Sequence, residues 1–260
     1  LAALELVDLS ESLYYTPRYS WLLLPLGGLL FGYGMGLANG CGARALVLLG
    51  TGNLRSLVVL LCLGISAYIT LTGVLGPLRI AVSDATTVSP AWLSVPAGTV
   101  SLAVAAIVAL ALAAYALRHP AHSADHGESG TRARDLAGGL IVGLLVVAGW
   151  YVTGWLGKDD FEPVPVVSLT FVAPIGDLIQ YAMLATGMSL RFGIAVVAGV
   201  VVGSFLTALL CRETRLQGFN TPQQMLRYIA GGALMGSGGA LALGCSIGQG
   251  LTGLSRSEER

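Results

Sequence analysis

The sequence predicts an all-α polytopic membrane protein built as an internal repeat, in which transmembrane helices alternate with re-entrant half helices. Three observations carry that expectation. Of the 260 residues, 55% are hydrophobic and only 11% are charged, and the mean hydropathy is +0.77, too apolar for a soluble chain of this length. Residues 27–41 read GGLLFGYGMGLANGC and residues 231–245 read GGALMGSGGALALGC, identical at nine of fifteen positions. Chance would match roughly one or two, so the pair marks two related halves. Apolar runs of spanning length separated by polar segments complete the pattern.

The rest of the chain is arranged about the repeat. Gly28, Gly32, Gly36 and Gly40 recur every four residues, a spacing that lines them up as one smooth ridge on a helix, against which another backbone can pack closely. The second copy keeps Gly232, Gly236 and Gly244, with Ala240 in the remaining place. Gly32 and Gly236 therefore occupy equivalent positions and are expected to respond alike to substitution. Each ridge ends at a Gly-Cys pair followed by a short apolar run. Glycines on both sides of Cys41 predict a break, with one short helix ending and another beginning; Cys41 and Cys245 then lie at helix termini within the membrane.

Along the chain, residues 1–19 are polar and aromatic, a loop or an interfacial segment. Residues 21–39 are long enough to span, and their glycine content leaves a re-entrant hairpin equally open. Residues 57–75 form a span, 77–90 a polar connection, and 91–117 the most apolar helix, with Trp92 and Tyr115 as interfacial anchors. The hydrophilic loop 118–135 divides a first repeat half, 1–117, from a second, 136–260. In the second half residues 136–157 span, and 168–183, SLTFVAPIGDLIQYAM, read as a pair of half helices interrupted at Pro174 and Gly176. Residues 192–210 span, 211–227 form a basic loop, and 228–254 are the second Gly-Cys hairpin. Loops 118–135 and 212–227 carry three arginines each, which places both in the cytoplasm by the positive-inside rule. The expected location is a bacterial cytoplasmic (inner) membrane, crossed several times. The first residue is a leucine and the last six read SRSEER; sequence is expected to be missing at both ends.

A formal net charge of zero, with basic residues confined between apolar runs, excludes a nucleic-acid footprint. Four cysteines without CxxC spacing argue against a disulfide scaffold and for free thiols. No cofactor motif is present. His119, His122 and His126 fall among Pro120, Gly127 and Gly130, a setting for a loop rather than a metal site.

Glycine-interrupted apolar segments in corresponding places of two halves point to a transporter's central site. Broken helices offer unpaired backbone N–H groups and the positive ends of their dipoles to an anion where no water can do so. A thiol is small, tolerates apolar surroundings and is a weak donor suited to a soft acceptor such as sulfur. The candidate pathway residues are therefore Cys41 and Cys245 with their glycines Gly40, Gly42 and Gly244, and the polar neighbours Asn39, Ser246 and Gln249. Arg44 can attract an anion or face headgroups. Asp177 is the one acid within a span, a functional group by default, or else a cap or an ion-pair partner of Arg191. Cys62 and Cys211 read as packing.

The segments GCGARALVLLGTGNLRSL and GCSIGQGLTGLS, with SLTFVAPIGDLIQY between them, resemble the YeeE/YedE family of membrane proteins, which includes thiosulfate transporters. The resemblance covers both halves outside loop 118–135. It implies an hourglass of helices with short helices pointing to the centre from both faces, and uptake of thiosulfate, a small sulfur oxyanion, past cysteines that act as soft hydrogen-bond donors; Cys41 and Cys245 are the pathway cysteines by that likeness. The implied partners are thiosulfate, lipid and a cytoplasmic TusA-like sulfur-carrier protein. The expectation is a transporter, not an enzyme. The alternatives are a membrane thiol–disulfide oxidoreductase cycling Cys41 and Cys245, or a membrane subunit for a sulfur- or selenium-carrier protein.

Overall fold

The computed structural model describes residues 19–88, 130–153, 169–187, 189–212, 214 and 216–248. Its elements are β1 (Tyr19–Ser20), α1 (Leu23–Ala38), α2 (Gly42–Gly50), α3 (Leu54–Leu71), α4 (Gly76–Thr86), β2 (Thr87–Val88), α5 (Gly130–Tyr151), α6 (Val172–Met183), α7 (Phe192–Leu210) and α8 (Pro222–Leu241). The regular elements among the described residues are helices apart from the two-residue antiparallel pair β1–β2, which registers Tyr19 with Val88, and a single parallel bridge joins Asn53 to Gln217. They fall in two compact units. Helix α5 belongs to one, and all other elements to the second. The expected interfacial segment, the helix at 91–117, the histidines and Gln249 lie outside the described residues.

Helix α3 replaces the span expected at 57–75 with nearly the same residues, and α7 coincides with the span expected at 192–210. Four expectations are corrected. The hydrophilic loop expected at 118–135 gives way at Gly130 to α5, six residues before the span expected at 136–157. The polar connection at 77–90 contains the eleven-residue helix α4, whose Pro77 falls in the first turn, where a missing N–H costs nothing. Pro174 does not split 168–183 into two half helices: α6 is one continuous helix with Pro174 in its first turn. Helix α8 starts six residues before 228, because Thr221 caps it by accepting the Gln224 N–H at 3.3 Å and Pro222 takes the first helical position.

Helix α8 lies at the centre of the larger unit. Against α1 it packs backbone to backbone: a Cβ on Gly27 would come within 2.8 Å of the Gly238 carbonyl, and one on Gly34 within 2.7 Å of the Gly231 carbonyl. Rising numbers on one helix pair with falling numbers on the other, so the two repeat helices run antiparallel. On another face α8 meets α3, with Gly232 against the Val59 carbonyl and Gly236 against Leu63 and Ser66; here the numbers rise together and the helices are parallel. Leu63, Ala67 and Met235 are fully buried in this seam. The hydroxyls that α3 carries into it are satisfied within the helix, Ser66 to the Leu63 carbonyl and Thr70 to the Ser66 carbonyl, as an apolar environment demands.

The glycine ridge is thus corrected in one copy. Gly28, Gly32 and Gly36 are exposed and a Cβ on any of them meets nothing within 4 Å, whereas their counterparts Gly232 and Gly236 are buried against α3. The α1–α8 contact uses Gly27 and Gly34 instead. Substitution should separate the two classes. Gly236→Ala and Gly238→Ala force a methyl into backbone and should lower stability by about 1–3 kcal/mol. Gly28→Ala and Gly32→Ala should be neutral or stabilise by about 0.5–1 kcal/mol through helix propensity. Thermal unfolding of the detergent-solubilised variants measures this; equal losses at Gly32 and Gly236 would contradict the packing.

Candidate functional site

Both repeat helices end in the same way. Beyond α1, Asn39 takes the left-handed conformation at φ 60° and the Gly40 N–H bonds the Met35 carbonyl at 3.0 Å. Beyond α8, Leu243 takes φ 59° and the Gly244 N–H bonds the Gly239 carbonyl at 2.9 Å. Each pair of residues is matched by the repeat, and each bond spans five residues, the longer of the two bonds in a Schellman-type cap. Asparagine tolerates this conformation readily; leucine does so only under constraint. Gly40, at φ 151° with Arg44 folded 2.8 Å from where its Cβ would stand, admits no side chain.

Each turn then delivers a cysteine to the start of a helix. Cys41 is extended and half-buried, and α2 begins at the next residue. Cys245 is 6% exposed and a helical turn begins at Ser246. The two thiols differ in their bonding. The Cys245 sulfur accepts the Gly248 N–H at 3.2 Å, so it caps its own helix, and the Thr170 hydroxyl lies 4.0 Å from it. The Cys41 side chain caps nothing, and among the described residues the N–H groups of Gly42, Ala43 and Arg44 have no protein acceptor. They constitute the open positive end of α2.

Helix α6 joins the turns. Its leading residue Val172 packs on Gly239, where a Cβ would stand 2.9 Å from Val172 Cγ2, and its Ile175 methyl lies 3.5 Å from where a Cβ on Gly42 would be. Thr170, beside Cys245, stands two residues before α6, and Ile175, beside the residue after Cys41, lies in its first turn. The two Gly-Cys turns are therefore bridged by one short stretch, residues 170–175, at the start of α6. Further along, Gly176 closes on Gly64 and Tyr68, and the Tyr68 hydroxyl donates to Asp177 Oδ1. Asp177 thus binds α6 to α3 through a tyrosine. Among the described residues it makes no ion pair with Arg191.

Of the sequence candidates, Cys41, Gly40, Gly42, Gly244 and Cys245 lie in the two turns. Ser246 and Arg44 are exposed beside them, Arg44 folded over Gly40. Asn39 lines a cavity with Gln223, Gln224, Arg227 and Tyr228. Cys62 packs against Gly232 and Cys211 is the exposed C-cap of α7. Thr170, Ile175 and Tyr68 were not foreseen; the signal available was Pro174, which marks the start of α6 rather than a break.

Among the described residues the structure is mainly helical, with two helices, α3 and α7, long and apolar enough to cross a membrane and paired cysteines at internal helix starts; this suggests a helical membrane protein. The chain belongs to the sulphur transport family, which it matches over residues 1–258. It is similar to the thiosulfate transporter TsuA of Escherichia coli (strain K12), 31% identical over 112 residues. That match spans 43% of this chain and 30% of the relative, under a third of the relative's length.

The cap geometry makes a prediction about the cysteines alone. Cys245→Ser retains an acceptor for the Gly248 N–H, whereas Cys245→Ala leaves it unpaired and should cost about 0.5–2 kcal/mol more. At Cys41, which caps nothing, Ser and Ala should melt within about 0.5 kcal/mol of each other. Melting curves of the four variants decide it, and a Ser–Ala gap at Cys41 as large as that at Cys245 would refute the assignment.

Proposed function

We propose that the protein is a multi-pass transporter of a bacterial inner membrane that takes up thiosulfate along a pathway running past Cys41 and Cys245. The observation that carries this reading is the pair of matched Gly-Cys turns abutting one short helix. Helices α1 and α8 touch through equivalent glycines, Gly27 with Gly238 and Gly34 with Gly231, so exchanging the two copies reproduces the contact. This favours an inverted repeat related by an axis through the crossing point, with the two Gly-Cys turns re-entering from opposite faces as in an hourglass.

The chemistry follows from the groups available. Thiosulfate carries its charge on oxygens and on a soft terminal sulfur. The unpaired amides at the start of α2 supply partial positive charge without a counter-ion to trap the substrate. Thiol S–H groups donate weakly to the terminal sulfur, which suits a solute that must be released again. Glycines at 40, 42 and 244 let the backbone approach. Lipid covers the apolar faces of α3 and α7, and a TusA-like carrier is the proposed acceptor on the cytoplasmic side.

Uptake of labelled thiosulfate by cells lacking their own uptake system, supplied with the full-length gene, tests the reading. Cys41→Ser and Cys245→Ser should each lower uptake at least tenfold at unchanged protein level, since a hydroxyl keeps the shape but is a harder donor. Unimpaired uptake by both variants, or a stoichiometric reducible Cys41–Cys245 bridge in the unreduced protein, would overturn it; the bridge would support a thiol–disulfide oxidoreductase instead.

A further inference from the structure

We propose that the cavity between the C-terminal end of α1 and the first two turns of α8 is a binding site for a small, soluble oxyanion, held by its oxygens, next to the Cys41 turn. The cavity measures about 470 Å³, within the roughly 300–1,000 Å³ usual for small-molecule sites. Its lining includes one guanidinium, Arg227, the amides of Asn39, Gln223 and Gln224, the phenol of Tyr228, and no carboxylate. Donors thus predominate and the only formal charge is positive.

Several of these groups are already held in place. Arg227 Nη2 donates to the Gly36 carbonyl at 3.3 Å, which anchors the guanidinium across the α1–α8 seam and leaves its other N–H donors for a ligand. The Gln224 carbonyl oxygen accepts the Asn220 N–H at 3.3 Å, so that side chain offers its NH₂. The Tyr228 ring is held edge-on to Phe219, centroids 5.7 Å apart at 83°. The positive end of α8 adds to the field. Asn39 belongs both to this wall and to the turn that carries Cys41 two residues later, which makes the cavity continuous in sequence with the thiol.

The donors here are hard, and hard donors recognise oxygen. Sulfate and thiosulfate present similar oxygens, so the cavity binds both, and discrimination in favour of the terminal sulfur is left to Cys41. Naming thiosulfate as the physiological ligand rests on the transport reading; oxyanion binding itself does not.

Calorimetric titration of the purified full chain in neutral detergent with sulfate and with thiosulfate tests this. Arg227→Gln should weaken both at least tenfold, Arg227→Lys should restore part of the loss, and Gln223→Leu, at a side chain that no described protein contact uses, should weaken both about threefold or more. Cys41→Ser should change thiosulfate binding only. The proposal falls if sulfate does not bind, or if Arg227→Gln and Gln223→Leu leave sulfate affinity unchanged. It also falls if phosphatidylglycerol added to the micelles displaces sulfate, because the headgroup is then the ligand. Arginine-dependent sulfate binding in a protein that takes up no thiosulfate would leave the site standing and remove the transport reading; uptake without sulfate binding would do the reverse.

Discussion

The structure depends on the absence of Cβ atoms where α1 crosses α8. At Gly27, Gly34, Gly231 and Gly238 an added carbon would lie 2.5 to 2.9 Å from backbone atoms of the opposing helix, well inside contact distance, so the two helices meet at main-chain range. In an apolar solvent burial of side chains provides little drive for helix association, and close van der Waals approach takes its place. Since the Gly-Cys turns are the continuations of these same two helices, the crossing sets where each cysteine stands. Helix α6 then fills the space between them, and the Tyr68–Asp177 bond fixes it to α3.

Equivalent residues do not have equivalent surroundings. Gly232 and Gly236 are closed off by α3, the second helix after the first cysteine turn, while Gly28 and Gly32 on α1 are open. The repeat in sequence specifies a surface capable of close packing in both copies; whether it is packed depends on what lies opposite. That is why a four-residue glycine spacing predicted a ridge correctly as a pattern and incorrectly as a contact in the first half. The seven-residue pairs Gly27/Gly34 and Gly231/Gly238, two turns apart on one face, form the contact that the four-residue reading passed over.

What was legible locally was what local physics decides. The long apolar runs at α3 and α7, and the break at Cys41 between glycines, follow from hydropathy and backbone freedom alone. Helix ends were less legible because they depend on single capping groups: Thr221 starts α8 ahead of its apolar stretch, and Pro77 and Pro174, read as interruptions, are first-turn residues. The site was readable only in part. Cys41 and Cys245 could be singled out by duplication, but the role of α6 in joining them is a tertiary fact, and Asp177, isolated in sequence, has its partner on another helix 109 residues away.

The two turns share a backbone and differ in side-chain chemistry. A thiol whose sulfur already accepts a backbone N–H, as at Cys245, has its S–H polarised by that bond and donates more strongly. Cys41, with no such partner, is the weaker donor, yet it stands at the start of α2, whose first amides are unpaired, and two residues from Asn39 and the arginine-bearing cavity. Charge attraction is therefore concentrated beside Cys41, while each thiol can offer its S–H to a soft sulfur. On the transport reading proposed above, a solute with both charged oxygens and a soft sulfur would meet different holds at the two turns. Leu243 holds, at φ 59°, the conformation that asparagine adopts more easily at Asn39, so the two turns keep one backbone path under different side chains and different thiol bonding.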